Sequence, residues 1–115
     1  MNEEKIYTYL DGSSNKYVIT HKSVEYTPIK PEFSSSGIYN GGDYMKKEIS
    51  KSQFEKIVLV IKKAIGNKKS HIKNRVKASG LIIIEEGNDE ETCILNPGSE
   101  ELANIEEMLH SLIKN

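Results

Sequence analysis

Tryptophan is missing from this chain, cysteine occurs once, at Cys93, and arginine once, at Arg75. A single thiol closes no internal disulfide, which excludes a disulfide-stapled scaffold and fits a reducing compartment; an inert thiol buried in a strand is the expectation for Cys93. Long apolar runs are also lacking. The longest, 57–61 and 81–84, fall far short of the ~20 residues that cross a bilayer. Glu3 and Glu4 stand where a signal peptide carries positive charge, and no apolar stretch of signal-peptide length follows, so a cytoplasmic location without membrane contact is expected.

Neither sign of charge dominates: 16 Lys and Arg face 17 Asp and Glu, a formal net charge of -1. The molecule as a whole is therefore no polycation that coats nucleic acid, and any electrostatic argument must be local. Catalytic and ligand motifs are absent as well. The glycine-containing stretch 34–44 has neither the terminal Gly-Lys-Ser/Thr of a phosphate-binding loop nor the dinucleotide fingerprint. His21, His71 and His110 are scattered, with no pair at metal-ligand spacing and no second cysteine, so no metal and no cofactor are expected. A pairing of Cys93 with a histidine such as His21 remains the conceivable route to a catalytic dyad, and catalysis is the weaker expectation.

What is present has the patterning of one α+β domain spanning 1–115, with 37% hydrophobic and 29% charged residues. Residues 6–10 and 16–21 are rich in tyrosine and β-branched side chains and flank the turn-forming Asp11-Gly12-Ser13-Ser14-Asn15, which predicts a hairpin. Residues 24–29 extend its second strand or form another. Asn40-Gly41 is a favoured two-residue turn, pairing Ile38-Tyr39 with a segment within 43–49. Ser50 and Gln53 form a capping box ahead of Phe54, Ile57, Val58, Ile61, Ala64 and Ile65, predicting a helix over 51–65 that stops at Gly66-Asn67. Residues 81–84 and 92–95 read as a hairpin whose first strand is central and covered on both sides. Ser99 caps a last helix with Glu100 and Glu101 in its first turn, an apolar stripe of Leu102, Ile105, Met108, Leu109, Leu112 and Ile113, and His110 near its C-terminal end. The expected architecture is a two-layer sandwich: a mainly antiparallel sheet with both helices on one face, in the order strands, helix, hairpin, helix.

Three features bear on function. All six tyrosines, Tyr7, Tyr9, Tyr17, Tyr26, Tyr39 and Tyr44, fall in the first 44 residues; they are either interface groups or good strand residues. The stretch 34–44 presents Tyr39, Gly41, Gly42 and Tyr44 as candidate contacts for a protein partner or a second copy, the aromatics anchoring and the glycines permitting close backbone approach. Along 70–80, His71, Lys73, Arg75 and Lys77 alternate with smaller or apolar residues, so as a strand this segment would carry a basic stripe able to hold phosphates of RNA or DNA, or would simply face solvent. The leading expectation is a non-catalytic protein-interaction domain, with anion or nucleic-acid binding second.

Overall fold

The structure is a computed structural model, and it describes residues 5–12, 15–28, 44–74, 76 and 79–113. Four strands come first: β1 (Lys5–Leu10), β2 (Lys16–Ile19), β3 (Ser23–Thr27) and β4 (Met45–Glu48). Helix α1 (Lys51–Gly66) follows, then a 3-10 turn (Lys68–Ser70), β5 (Gly80–Glu86), β6 (Asp89–Leu95) and α2 (Glu100–Ile113). The strands form one antiparallel sheet in the order β4-β3-β2-β1-β5-β6. The chain meanders outward from β1 to the β4 edge, crosses back through α1, and adds β5 and β6 on the other side of β1. The expected α+β sandwich is the observed fold, with four strands ahead of α1 where the sequence reading had a hairpin and shorter segments.

Local chemistry explains the boundaries. Ser50 accepts from the Gln53 amide at 3.1 Å while Gln53 accepts from the Ser50 amide at 2.8 Å, so both halves of the capping box are made. Ser99 Oγ caps α2 by accepting from the Leu102 amide. Asp11 closes the first turn, taking hydrogen bonds from the backbone and side-chain amides of Asn15, which is 2% exposed. The β5–β6 hairpin runs further at its tip than expected, by two residues in β5, to Glu86, and by three in β6, from Asp89, because Gly87 at φ 59° completes a two-residue turn.

Strand period divides the sheet into two faces. Register places Tyr7, Tyr9, Tyr17, Ile19, Val24, Tyr26, Ile82, Cys93 and Leu95 on one of them. These residues pack with Ile57, Ile61 and Ala64 of α1 and Leu102, Ile105 and Leu109 of α2 into one core. Tyr9, Tyr17 and Tyr26 form a row of contacting rings with centroids 6.0 and 4.8 Å apart. The Tyr9 hydroxyl donates to Glu106 of α2 at 2.6 Å, tying sheet to helix, and burial together with that carboxylate pushes its pKa far above the ordinary phenol value. Glu101 of α2 accepts from Ser70 Oγ at 2.6 Å and from Asn67 Nδ2 at 2.9 Å, joining α2 to the end of α1.

Both helices lie on this face. β5 is central, as expected, but its second side is not fully sealed: Leu81 and Ile83 stay partly exposed, and no described element packs over them.

Candidate functional site

The structure overturns the interface reading for four tyrosines. Tyr7, Tyr9, Tyr17 and Tyr26 are 3, 1, 1 and 6% exposed, because register turns them all toward the helices. Tyr44 does stand in solvent at 56% exposure and donates its hydroxyl to Glu25 on the neighbouring strand. Tyr39, Gly41 and Gly42 lie outside the described residues, as does the Ile38-Tyr39 half of the expected hairpin. The segment within 43–49 is a strand as expected, β4, and it pairs with β3.

The basic stripe also changes. Among the described residues of 70–80 that precede β5, only His71 makes a β-bridge, with Leu95; Ile72 donates to the Ile94 carbonyl and Asn96 to the Ser70 carbonyl. Beyond that short contact no further pairing is made among the described residues, and Ser79 Oγ bonds the amide and carbonyl of Val76. Alternation without a partner strand does not make a strand. The inward face is wrong too, since Val76 is 52% exposed. Lys73 is exposed as expected, whereas Arg75 and Lys77 lie outside the described residues.

His71 turns inward instead. Its Nε2 lies 2.9 Å from the Ala64 carbonyl oxygen of α1 and 3.2 Å from Cys93 Sγ. The sequence allowed a pairing of Cys93 with a histidine, with His21 as the example; the one that reaches it is His71. A carbonyl only accepts, so Nε2 carries the proton and donates to it, which leaves that nitrogen no lone pair to take the thiol proton. Burial, with Glu91 nearby, raises the Cys93 pKa, the opposite of what a nucleophilic thiolate needs. The arrangement stitches β6 to the end of α1 and lacks the means to activate sulfur. Among the described residues, no group of three or more His, Cys, Asp or Glu side chains is placed to hold a metal ion, and no helix is long and apolar enough to cross a membrane.

The remaining candidate is the face of the sheet away from the helices. Cross-strand register sets Val18, Thr8, Ile83 and Thr92 in one row and Lys16, Leu10, Leu81 and Ile94 in the next. Ile6, Glu85 and Glu90 form a third. Ile6, Leu10, Val18, Leu81, Ile83 and Ile94 are partly exposed aliphatics on adjoining strands, Thr8 among them is buried, and none belongs to the core beneath the helices. An aliphatic field of this kind on a sheet face marks a docking surface more often than scattered apolar residues do. Its charges are mixed: Lys16 flanks the field beside Leu10, Glu25 flanks it beside Val18 and accepts from Tyr44, and Glu85 and Glu90 flank it at the corner diagonal to Lys16. The sequence did carry a signal for it, in the aliphatic residues that alternate with tyrosine in β1 and in the unbroken run of β5.

Comparison with protein families, curated proteins and solved structures finds no match to this chain. The functional reading therefore rests on geometry and chemistry.

Proposed function

We propose that this protein is a non-catalytic interaction module that self-associates through the open face of its sheet. The observation that carries the proposal is the aliphatic field of Ile6, Leu10, Val18, Leu81, Ile83 and Ile94 on the side the helices leave uncovered. The occupant follows from the charges at its corners. A two-fold axis lying in the interface, along the diagonal that passes between Lys16 and the Glu85-Glu90 pair, brings the two aliphatic fields together. It also sets Lys16 of each copy over Glu85 and Glu90 of the other. Such an axis crosses the strands of the two sheets at close to a right angle, one of the two preferred ways for sheets to pack. The two glutamates stand directly opposite each other in the ladder, an unfavourable pairing that an incoming lysine relieves.

The expected strength is modest. Four strands at about 4.8 Å spacing and five residues at about 3.3 Å rise give a field of roughly 19 by 17 Å. Stacking two such fields covers roughly 650 Å² in total, below the standard size of a specific interface, so weak, concentration-dependent association is expected.

The charge geometry can be tested by mixing. Lys16→Glu alone, and Glu85→Lys/Glu90→Lys alone, should each weaken self-association, and an equimolar mixture of the two variants should form a heterodimer in which one of the two corner contacts is restored in reversed polarity. Variants that associate as well as the wild type would remove the diagonal arrangement. The basic residues 68–77 give weaker support to a nucleic-acid reading, because His71 is partly buried against the Ala64 carbonyl and Cys93 and, among the described residues, the stretch pairs with β6 only around His71.

A further inference from the structure

A second surface, on the helix side of the sheet, has the make-up of a small-molecule site. An open cleft of about 600 Å³ lies between α1, the first half of β1 and the turn joining β2 to β3, lined by Lys5, Tyr7, His21, Phe54, Glu55, Val58, Leu59 and Lys62. That volume falls within the range of ligand pockets. Its floor is aromatic: Tyr7 and Phe54 meet edge to face with ring centroids 6.1 Å apart. Its wall is the exposed apolar side of α1, where Leu59 is 62% exposed on a helix whose other aliphatic residues are largely covered.

The polar groups of the cleft are mostly donors. Tyr7 is 3% exposed, and among the described residues its hydroxyl makes no hydrogen bond. Among the described residues no buried side-chain polar atom lacks a partner, so this hydroxyl is not sealed in the core; it reaches the cleft that Tyr7 lines. A phenol almost wholly buried, with only its oxygen presented to a cavity, is placed to meet a ligand acceptor. Lys5 and Lys62 add two ammonium groups, and no ion pair among the described residues holds either. Lys5 also borders the acidic tip of the β5–β6 hairpin, standing opposite Glu86 in the ladder, so its field is shared. Lys62 is the less compromised cation. Glu55, the only carboxylate of the lining, is seven residues before it, about 10 Å away along the helix axis and two turns down the same side. Between them lie Val58 and Leu59.

We infer that this cleft binds an apolar monocarboxylate, a medium-chain fatty acid being the simplest example. The hydrocarbon body lies over Phe54, Val58 and Leu59, and the carboxylate takes donors from Lys62 and the Tyr7 hydroxyl. A carboxylate fits where a cation does not, because the donors outnumber the single acceptor and that acceptor lies at the far end of the helical wall. The site is separate from the open face, and either can hold without the other.

The test is a calorimetric titration with decanoate below its micellar concentration, with decanol and decyltrimethylammonium as matched neutral and cationic probes. Saturable one-to-one binding of decanoate is expected, with both other probes weaker. Lys62→Glu should weaken it by roughly ten-fold or more, the loss of a charged hydrogen bond plus repulsion. Tyr7→Phe, which keeps the ring that packs on Phe54, should weaken it by a few-fold. Leu59→Glu, at a position the fold leaves in solvent, should abolish it while circular dichroism and self-association stay unchanged. Equal binding of decanol, affinity indifferent to Lys62→Glu and Tyr7→Phe, or no saturable binding would each overturn the proposal.

Discussion

Gly80, at the start of β5, offers a sharp check on the packing between sheet and helices. A Cβ built there meets Tyr9 Oη at 2.7 Å, Tyr9 Cε1 at 2.9 Å and Leu102 Cδ1 at 3.0 Å. The tyrosine cannot readily swing aside, because its hydroxyl is held by Glu106 and its ring is flanked by Tyr17. Gly80→Ala therefore forces either that hydrogen bond or the ring row to give, an overpacking cost of about 2–3 kcal/mol, reduced by about 0.5–1 kcal/mol from the lower entropy of the unfolded chain. A net loss of about 1–2.5 kcal/mol is expected. The same substitution at Gly66, the last residue of α1, meets nothing within 4 Å and should instead stabilise by about 0.5 kcal/mol. Urea unfolding at a concentration where the protein is monomeric reads both. Tyr9→Phe releases the ring from Glu106, so Gly80→Ala should cost less in that background, with a coupling of about 0.5–1.5 kcal/mol. Equal effects at Gly80 and Gly66, or strict additivity with Tyr9→Phe, would refute the reasoning.

Further expectations concern single groups. The Ser70 hydroxyl, with Asn67 beside it, holds the Glu101 carboxyl below the usual carboxylate range, so its stabilising contribution is complete above that range and lost as pH falls through the depressed folded value. Acid unfolding of Glu101→Gln should accordingly show a shallower dependence on pH in that window than the wild type. Cys93, with its thiol pKa raised by burial and 8% exposure, should react with a disulfide reagent at neutral pH at least roughly ten-fold slower than free cysteine, accelerating in urea. Ile105, fully buried where α2 meets the core, should cost about 2–5 kcal/mol on truncation to alanine, read as a shift in the urea midpoint with an unchanged slope.

The two helices were legible in the sequence because each joins a long apolar stripe to an identifiable cap, Ser50 with Gln53 and Ser99 with Glu100 and Glu101. The hairpin over 81–95 was legible in place but not in extent, since Glu85, Glu86, Glu90 and Glu91 carry no apolar alternation; they sit near the tip, where solvent accepts charge. In the stretch 70–80 a period of two records side-chain direction only where a neighbouring strand exists to pair with. Among its described residues, β6 supplies that neighbour to Ser70, His71 and Ile72 alone. The tyrosines show a different limit. Tyr7 and Tyr9 alternate with Ile6, Thr8 and Leu10, and composition cannot say which set faces the helices until the register with β5 is known. That undetermined choice is also why the aliphatic face was not singled out.

The central claim is that two copies meet through the uncovered face of the sheet, and sedimentation equilibrium across a wide concentration series tests it most directly. The account predicts a weight-average mass that rises with concentration from the 13.0 kDa of one chain toward twice that value. Ile83→Lys, which places a charge at the centre of the aliphatic field on a side chain outside the helix-covered core, should stay at the monomer mass while remaining folded. A wild-type chain that stays monomeric at every concentration, or an Ile83→Lys variant that dimerises as the wild type does, would contradict it.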